Sequence, residues 1–518
     1  MNIQYDFMRN FILIAVLFSG TPALAQTALD RYIAKPEPDF SWQEYAVDHK
    51  LVADTYFIKL VSQRWRSAAE VDRSIWEHEL IVIVPNFLLC NSDHRETALL
   101  MIAGGRNPDP GEFTTEIDAT AGVIATSLCT VVAVIKQVPN QPLQFADEFK
   151  RPRREDAILA YSLNKYLETG DEEWPVHLAM TKAAVKAMDA VQAFSRTHGS
   201  VPNIDDFIVL GGSKRGWTTW LAAAVDARVK AVVPISIDLL NLDEQFQHHW
   251  EAYGFYTPSV RDYEEYDIAC RMQTPRGQQL LGIIDPLSYR ERYTMPKLII
   301  NSAGDQFFVS DSWRFYYDDL PEPKRLRYTP NTSHSQGDLE DVIGLFRSTI
   351  PWLKDVRANR EAPRFDWRVE ADGSIRVQTI DPPEHVRLWQ AHNPTHRDFR
   401  LEAIGPAWHA NDLQDRGGGV YVGFVAPPAQ GFSAYFVELE FPNSSFPASN
   451  PLFTTGVVVT PDVLPFAGYG LHDFKATPSP VGPGLPSRLL PILQRGNQRA
   501  SARPAIACPS ARPAKMLG

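Results

Sequence analysis

One stretch of the chain constrains its fold more than any other. A short apolar run, FIVL at residues 207–210, leads directly into GGSKRGW at residues 211–217. Residues 217–229 then carry apolar side chains at helical spacing and many strong helix formers. A serine in a tight glycine-flanked turn between a buried strand and a helix is the arrangement of a nucleophile elbow, in which the hydroxyl stands clear of the sheet. We therefore predict that Ser213 is a nucleophile.

The match to the G-x-S-x-G pattern is incomplete. Arg215 occupies the position of the second glycine, and Gly216 follows one residue later. A Gly-Gly turn made only for its geometry, with Ser213 as a helix-capping residue, would produce the same local sequence. This stretch alone leaves both interpretations open, a nucleophile and a structural cap, so the rest of the chain has to decide between them.

Strand-like and helical patterns alternate along most of the chain. Strands are predicted at residues 55–65, 80–85, 98–103, 130–135, 207–210, 231–237, 297–301 and 326–329. Helices are predicted at residues 116–128, 154–168, 176–197, 217–229 and 339–353. The first two strands are expected to be an antiparallel pair, and residues 26–50 an irregular lead-in. The alternation predicts an α/β fold, with a mostly parallel sheet and helices on both faces.

The order of these elements resembles an α/β-hydrolase, because the serine follows the fifth strand, and it places this domain at residues 26–358. In that fold an acid and then a histidine follow later strands. Asp305 ends the turn SAGD after one strand, and His334 follows the last strand of the domain. His334 would accept the serine proton, and Asp305 would fix the imidazole tautomer and stabilise its cation. Asp238 is a second candidate for the acid, and Asp311 is a third.

Two backbone N–H groups would complete such a site as an oxyanion hole. Lys214, the residue after the serine, supplies one of them in this prediction. The other belongs to the loop after the ALLMIA strand, where Gly104 and Gly105 permit a close approach of the backbone. Gly105 and Arg106 are the two candidate donors, and a glycine turn made only for its geometry is the alternative.

Residues 239–295 separate two predicted strands and are rich in aromatic and charged side chains. An insertion at this position lies over the carboxyl ends of the strands, so we predict a cap above the site. The aromatic side chains of this segment either line a substrate cleft or pack the cap on itself. They are Phe246, Trp250, Tyr253, Phe255, Tyr256, Tyr263 and Tyr266.

A different pattern occupies residues 359–469. Residues 365–377 alternate apolar and polar side chains on either side of Asp372-Gly373, which is typical of a β-hairpin. Further short strands are predicted at residues 386–389, 420–425 and 435–441. We therefore predict a C-terminal all-β, sandwich-like domain of about 100 residues, which either supports the fold or binds a partner.

The two ends of the chain differ in composition from the rest. Residues 1–25 are predicted to be a secretory signal, with an apolar core behind Arg9 and a cleavage site, ALA, that ends at Ala25. Residues 470–518 are rich in Pro, Arg and Ser, and we expect a disordered basic tail. The mature protein is therefore expected in the periplasm or outside the cell, without a transmembrane segment.

The composition narrows the classes of partner. The chain has 62 acidic and 51 basic residues and a net charge of −11, which argues against a nucleic-acid partner. It contains no C-x-x-C or H-E-x-x-H motif, so we expect no metal and no cofactor, and a small-molecule or peptide substrate.

Export makes disulfides permissible. Among the pairings of Cys90, Cys129, Cys270 and Cys508, Cys90 with Cys129 is preferred, and free buried thiols are the alternative.

Several stretches taken together resemble the PhoPQ-activated pathogenicity-related protein family over about residues 28–465. They are QVPNQPL at residues 137–143, REDAILAY at 154–161, GGSKRGW at 211–217, IDP at 284–286 with Tyr289 and Arg290, Gly304-Asp305 with Phe307 and Phe308, and Pro330-Asn331 ahead of His334. The resemblance implies a secreted or periplasmic protein of α/β-hydrolase type with no firmly established substrate. Members of the family have been likened to dipeptidyl-peptidase-type serine hydrolases.

That likeness suggests a role for Glu155 and Asp156, since paired acids can hold the free amine of a peptide. A helix N-terminal turn with acids against the helix dipole is the alternative. Arg215 either approaches an anionic substrate group or makes a structural salt bridge.

The leading function is a serine hydrolase of esterase or peptidase type, and the competing one is a non-catalytic hydrolase scaffold that binds a surface or envelope partner. A carbohydrate esterase is a third class, compatible with the aromatic cap.

Overall fold

The structure is a computed structural model that describes residues 26–90, 94–107, 119–443 and 449–468. The predicted signal, residues 1–25, and the predicted tail, residues 470–518, lie outside the described residues.

Strands and helices alternate through the described residues as follows. The strands are β1 Ser41–His49, β2 Ala53–Arg64, β3 Ile75–Pro85, β4 Thr97–Ile102, β5 Val132–Ile135, β6 Leu143–Gln144, β7 Pro152–Arg153, β8 Asp206–Gly212, β9 Val229–Ile235, β10 Lys297–Ser302, β11 Lys324–Thr329, β12 Phe365–Val369, β13 Ile375–Thr379, β14 His385–Asn393, β15 His409–Asp412, β16 Val420–Gly423, β17 Phe432–Glu440, β18 Leu452–Thr454 and β19 Val458–Thr460. The helices are α1 Ala28–Ala34, α2 Ala119–Leu128, α3 Asp156–Thr169, α4 Val176–Thr197, α5 Lys214–Val225, α6 Leu242–Tyr253, α7 Arg261–Glu264, α8 Ile268–Met272, α9 Pro275–Ile284, α10 Leu339–Arg357 and α11 Leu401–Ile404. Short 3₁₀ helices occupy Pro258–Val260, Pro286–Arg292 and Ser312–Phe315.

One mixed sheet organises the described part of the chain. Its strands follow the order β1-β2-β3-β5-β4-β8-β9-β10-β11-β18-β17-β14-β15, with β19 beside β17. The strands from β5 to β11 in this order run parallel to one another. Both faces of a parallel sheet are covered, so most of these strands are largely apolar, such as VAVI in β5, although β11 (KRLRYT) carries charged residues. The predicted parallel sheet is therefore confirmed as the centre of the fold, with antiparallel strands on both sides.

Helices cover both faces of the parallel centre. On one face lie α4 and α5, where Trp220 is fully buried, and on the other lie α2 and α10, where Ile124 and Leu353 are fully buried. Within β4, Leu100 faces the first core and Leu99 the second, as the two-residue period of a strand requires. This three-layer arrangement is an α/β-hydrolase fold, in which the predicted elbow joins β8 to α5.

The C-terminal strands extend the same sheet. β18 pairs with the edge of β11 through Thr454 and Leu326, and the Tyr328 N–H donates to the Thr454 hydroxyl at 2.9 Å. The separate sheet β12-β13-β16 packs on β14 and β17, where Val377 and Val437 share a core with α2 and α10. The predicted sandwich-like packing is present, but one of its layers is continuous with the hydrolase sheet. The pairing covers the backbone edge of β11, which would otherwise be left unpaired.

Residues 26–50 are regular, so the prediction of an irregular lead-in was wrong. They form α1, which begins with a capping box between Thr27 and Asp30, and the edge strand β1. Side chains of β1 alternate between exposed and half-buried, and the strand pairs along its length with β2. Its hydrogen bonds to β2, rather than burial of apolar side chains, stabilise it, so its sequence carries only a weak strand pattern.

A disulfide joins Cys90, in the loop after β3, to Cys129, at the end of α2. This is the pairing preferred from the sequence. The bridge ties an outer antiparallel strand to the helix layer and restricts the unfolded chain, a source of stability in exported proteins. Cys270 is buried in the segment between β9 and β10, and Cys508 lies outside the described residues.

The predicted cap is built from α6 to α9 and the 3₁₀ helices between β9 and β10. Three of these helices, α7, α8 and α9, contact α3. The cap therefore closes over the space between α3 and the carboxyl ends of the central strands. Among the described residues, the structure contains no helix with the length and apolar character needed to cross a bilayer.

Gly456, between β18 and β19, tests whether the C-terminal strands are part of the main fold. A Cβ at this position would lie 2.0 Å from the ring of Trp313, whose Nε1 donates to the Val457 carbonyl at 2.7 Å. We expect Gly456→Ala to lower the free energy of unfolding by about 2 kcal/mol, because the added methyl forces the ring and the strand apart. Urea unfolding followed by tryptophan fluorescence measures this change.

The matched control is Gly122→Ala in α2, where a Cβ would meet nothing within 4 Å. Alanine favours a helix over glycine, so this variant should be as stable as the wild type or more stable. A Gly456→Ala protein of unchanged stability, or one whose C-terminal strands unfold in a separate transition, would contradict a continuous sheet.

Candidate active site

The backbone at Ser213 adopts the turn that the sequence predicts. Ser213 lies between β8 and α5 with φ of 57° and ψ of −131°, a conformation that residues other than glycine rarely adopt. Its N–H donates to the Ile235 carbonyl of the neighbouring strand β9 at 2.8 Å. Backbone strain of this kind is concentrated at functional sites, where the surrounding structure enforces it.

Two glycines make this turn sterically allowed. A Cβ at Gly211 would lie 2.6 Å from the Arg215 carbonyl oxygen, and a Cβ at Gly216 would lie 2.7 Å from the Ile237 side chain. Both positions therefore require glycine. The second requirement falls three residues after Ser213 rather than two, because that is where α5 packs against the end of β9. This packing accounts for the incomplete match to the usual motif.

Three side chains from separate loops meet at this turn. Ser213 Oγ lies 2.7 Å from His334 Nε2, and His334 Nδ1 lies 2.8 Å and 3.0 Å from the two carboxylate oxygens of Asp305. A carboxylate only accepts hydrogen bonds, so Nδ1 of the neutral ring carries the proton and Nε2 accepts from the serine hydroxyl. The structure thus brings together the three residues predicted as nucleophile, base and acid.

The His334 ring is held by its surroundings. The ring of Phe307 packs against it at 4.2 Å between centroids, and the His334 N–H donates to Gln306 Oε1 at 3.0 Å. Asp305 is buried, with 4% of its surface exposed, and also accepts from the Phe307 N–H at 2.7 Å. These contacts fix the orientation of both partners, while the imidazole keeps 14% of its surface open to solvent.

The other two acidic candidates bind different groups. Asp238 is buried and accepts hydrogen bonds from the hydroxyls of Tyr316 and Tyr328. Burial raises the pKa of Asp238 to about 7, against the effect of these two hydrogen bonds. Asp311 is buried as well and accepts from Arg397 at 2.6 Å. The geometry therefore favours Asp305 as the acid.

The loop after β4 lies against the first turn of α5. A Cβ at Gly104 would lie 2.7 Å from Arg215 Nη2. Gly105 has φ of 134°, and within the described residues neither its N–H nor that of Arg106 has an acceptor. Lys214 begins α5, so its N–H also lacks an acceptor inside the helix. The candidate oxyanion donors therefore belong to two segments that touch.

A hydrogen-bonded network of Val138, Gln141, Glu155 and Arg215, here called the loop buttress, holds this loop. Gln141 Nε2 donates to the Gly105 carbonyl at 2.9 Å, and Gln141 Oε1 accepts from the Glu155 N–H at 2.7 Å. Arg215 donates to both carboxylate oxygens of Glu155, at 2.7 Å and 2.8 Å, and also to the Val138 carbonyl. Bidentate pairs of this kind fix geometry as well as charge.

The carboxylates of Glu155 and Asp156 both face cations. Lys214 Nζ lies 2.9 Å from a Glu155 oxygen and 3.1 Å from an Asp156 oxygen, and Asp156 also accepts from the Tyr263 hydroxyl at 2.9 Å. Burial raises the pKa of Glu155, but hydrogen bonds from Arg215 and the charges of both cations outweigh it and lower this pKa to about 2. Arg215 thus makes the salt bridge that was one of its two predicted roles.

A cavity opens beside Ser213, between α3, α5 and the cap. The empty space in and above it is about 690 Å³, which includes open solvent. Its walls are mainly apolar and come from several elements, among them Ile237 after β9, Leu242 of α6, Val260 of the cap and Met272 of α8. A largely apolar cavity beside a candidate nucleophile is typical of a substrate-binding site.

The cap aromatics fall into two groups, one that lines the cavity and one that packs within the cap. Phe246 and Tyr263 line the cavity, whereas Trp250 and Tyr256 pack on each other within the cap, with ring centroids 5.5 Å apart. Among the described residues, no group of three or more His, Cys, Asp or Glu side chains is arranged to hold a metal ion.

Gln141 is a functional candidate that sequence analysis missed. Its signal was present in the QVPNQPL stretch, which was singled out only for its resemblance to a family. The contacts give that stretch a physical role, because its backbone and side chains bind the loop that carries Gly105 and the side chain of Arg215.

Comparisons with solved structures return hydrolases at low sequence identity. The chain is similar to acetyl xylan esterase 1 from Thermoanaerobacterium sp. JW/SL YS485, at 15% identity and a TM-score of 0.41 over 63% of this chain and 92% of that chain. It is also similar to the acylaminoacyl peptidase of Pyrococcus horikoshii, at 13% identity and a TM-score of 0.37 over 64% of this chain and 52% of that chain.

Sequence comparisons cover more of the chain. It is 33% identical over 484 residues to the autocrine proliferation repressor protein A of Dictyostelium discoideum, across 88% of this chain and 94% of the relative. Residues 29–400 match the family described as PhoPQ-activated pathogenicity-related protein. These two findings together show that the chain belongs to the PhoPQ-activated pathogenicity-related protein family.

Proposed function

We propose that this protein is an exported serine hydrolase that cleaves an ester or amide bond through an acyl-enzyme. Ser213, His334 and Asp305 are its catalytic triad. The observation that carries the proposal is the hydrogen bond of 2.7 Å between Ser213 Oγ and His334 Nε2, on a ring whose other nitrogen donates to Asp305. An unassisted serine hydroxyl is a weak nucleophile near neutral pH, and an oriented imidazole removes that limitation.

The proposed reaction has two halves. Ser213 Oγ forms a bond to the carbonyl carbon while its proton passes to His334 Nε2; the bond to the alcohol or amine then breaks, and His334 returns the proton to that leaving group. A water molecule then attacks the acyl-enzyme with His334 again as the base, which releases the carboxylic acid and restores Ser213. Asp305 stays ionised throughout and stabilises the imidazolium.

The oxyanion of each tetrahedral intermediate is assigned to two backbone donors. The N–H of Lys214 lies at the start of α5, and the N–H of Gly105 lies on the loop that touches the same turn. Preorganised donors of this kind stabilise developing negative charge without reorganisation during the reaction. Gly105 is assigned as the donor because its N–H belongs to the peptide whose carbonyl, that of Gly104, accepts from the Gln137 N–H at 2.8 Å, which fixes that peptide.

The loop buttress is assigned a positioning role in this reaction. Arg215 and Glu155 do not contact the reacting atoms, but their bidentate pair lies directly beneath Gly104. A shift of the loop by a fraction of an ångström would move the oxyanion donor away from its target.

Export is part of the proposal. Residues 1–25 carry the pattern of a cleaved secretory signal, with the cleavage site near Ala25. The disulfide between Cys90 and Cys129 supports an oxidising compartment, because such bridges are rare in proteins of the cytosol. A periplasmic or secreted hydrolase fits both observations.

The competing function is a non-catalytic scaffold that binds a partner, for example through the C-terminal strands. A scaffold would have no need for a serine at a positive φ or for a buried carboxylate on a histidine that reaches its hydroxyl. The combination of strained backbone and oriented side chains therefore favours the enzyme.

Substitution of the triad tests the proposal. With 4-nitrophenyl butyrate as substrate, we expect Ser213→Ala and His334→Ala each to lower kcat/KM by about 10³-fold or more, because either change removes nucleophilic attack. Steady-state kinetics on purified protein measures the loss.

The matched control is His49→Ala, which removes an exposed imidazole beside Asp54, far from the site in the edge strand β1. It should leave kcat/KM within about twofold of the wild type, as surface changes usually do. Equal rates in wild type and Ser213→Ala, with both proteins folded, would overturn the triad.

The loop buttress gives a second prediction. Arg215→Lys keeps the charge but loses the bidentate pair with Glu155, so we expect kcat to fall by about 10- to 100-fold while KM stays within about threefold. The fall in kcat arises because only the transition state carries the oxyanion that the loop binds. Initial rates over a range of ester concentrations separate the two constants.

Arg228→Lys is the control, since Arg228 makes a comparable bidentate pair with Asp226, at 2.9 Å and 2.6 Å, away from the site. Its kcat should be unchanged. A positioning role is refuted if Arg215→Lys and Arg228→Lys lose the same small amount of stability and both retain full kcat.

A further inference from the structure

We infer that the cavity beside Ser213 is an acyl-binding pocket for an uncharged, apolar group, so that the substrate is an ester or amide of an apolar carboxylic acid. The inference rests on the function proposed above and adds the substrate class to it. Three features of the cavity carry it: its depth, the pairing of its polar groups and its position relative to His334.

The cavity extends from the nucleophile into the protein interior. Leu163 of α3 and Met272 of α8 both line it, and neither side chain has any surface exposed to solvent. Val260 and Leu242 of the cap, which are also buried, complete an apolar enclosure. An acetyl group would occupy only the space next to Ser213 and leave these walls unfilled, whereas a longer apolar chain gains affinity from each group that it buries.

Two polar side chains in the wall, those of Gln245 and His249, already have partners inside the protein. Gln245 Nε2 donates to the carbonyls of Leu240 and Ser312, at 3.0 Å each. His249 Nε2 accepts from the Thr257 N–H at 3.2 Å, and burial lowers the pKa of His249 to about 3, so its ring is uncharged at neutral pH. These two residues therefore offer no charge to a ligand.

The charged groups at the cavity are balanced. Asp156, which lines the cavity, pairs with Lys214 at 3.1 Å, and Glu155 pairs with Arg215 through two hydrogen bonds. Two carboxylates thus face two cations. A substrate amine or carboxylate would have to displace one of these partners, so the arrangement favours an uncharged group. It argues against capture of a peptide's amino terminus by Glu155 and Asp156.

The position of His334 indicates which part of the substrate the cavity holds. The leaving group must reach His334 Nε2, from which it receives its proton. Ser213 and Lys214 line the cavity, so a group bonded to Ser213 Oγ enters it directly, whereas the His334 ring keeps 14% of its surface open to solvent. We therefore assign the leaving group to the solvent-exposed side of His334, and the acyl part that is bonded to Ser213 Oγ to the cavity.

A chain-length series of esters on the full wild-type protein tests the inference. We expect kcat/KM to rise at least tenfold from 4-nitrophenyl acetate to 4-nitrophenyl octanoate, because the longer chain fills the apolar walls. The 6-aminohexanoate ester should react at least tenfold more slowly than the hexanoate ester, since its terminal ammonium meets no unpaired carboxylate. A value of kcat/KM that is independent of chain length overturns the inference.

A variant inside the cavity ties the selectivity to this site. Val260→Phe fills part of the cavity, so the ratio of octanoate to acetate kcat/KM should fall at least tenfold relative to wild type. The matched control is Val369→Phe, at a position in β12 that is 38% exposed, and its ratio should equal that of the wild type. An unchanged ratio in a folded Val260→Phe protein places the acyl group elsewhere and overturns the inference.

Failure of the proposed function gives a different result. If the inference alone is wrong, esters are hydrolysed and the Ser213→Ala protein is inactive, but neither chain length nor Val260→Phe changes the selectivity. If the protein is not a hydrolase, no ester is turned over faster by the wild type than by Ser213→Ala, and the proposed function falls together with the inference.

Discussion

The backbone turn at Ser213 is the constraint on which the rest of the structure depends. A φ of 57° at a serine is unfavourable by about 1–3 kcal/mol, so the surroundings must impose it. They do so from two directions: the serine N–H is bound by Ile235 of β9, and Gly211 and Gly216 admit backbone contacts that a side chain would prevent. A parallel sheet that is covered on both faces supplies the rigidity, and it places the loops after β10 and β11 at the same edge.

Charge organises the surroundings of that turn. Lys214 and Arg215 are the two residues after the serine. Their side-chain cations form ion pairs with the carboxylates of Glu155 and Asp156 at the start of α3. One of these pairs anchors the loop that carries Gly105, through Gln141, and the other lies in the cavity wall. The same four charges therefore fix the candidate oxyanion loop and leave the cavity electrically balanced, which links the proposed reaction to the proposed substrate class.

The central fold and three site residues were predictable from the sequence for a simple reason. Most of the buried parallel strands are largely apolar runs, and the candidates Asp305 and His334 lie three and five residues beyond the ends of β10 and β11. The edge strand β1 was missed because its side chains are half-exposed and pairing, not burial, stabilises it. The loop buttress was missed because Gln141 and Arg215 are far apart in sequence and meet only when the sheet has formed. The extra spacing to Gly216 likewise reflects packing on β9.

The central claim is that Ser213 is an activated nucleophile. The most direct test treats the purified mature protein with a fluorophosphonate, which reacts with activated serines, and maps the adduct by peptide mass spectrometry. The triad geometry predicts one adduct, on Ser213, that disappears when His334 is replaced by alanine. No adduct on folded wild-type protein, or an adduct that forms equally fast without His334, would contradict an activated serine and leave the hydrolase fold as a binding scaffold.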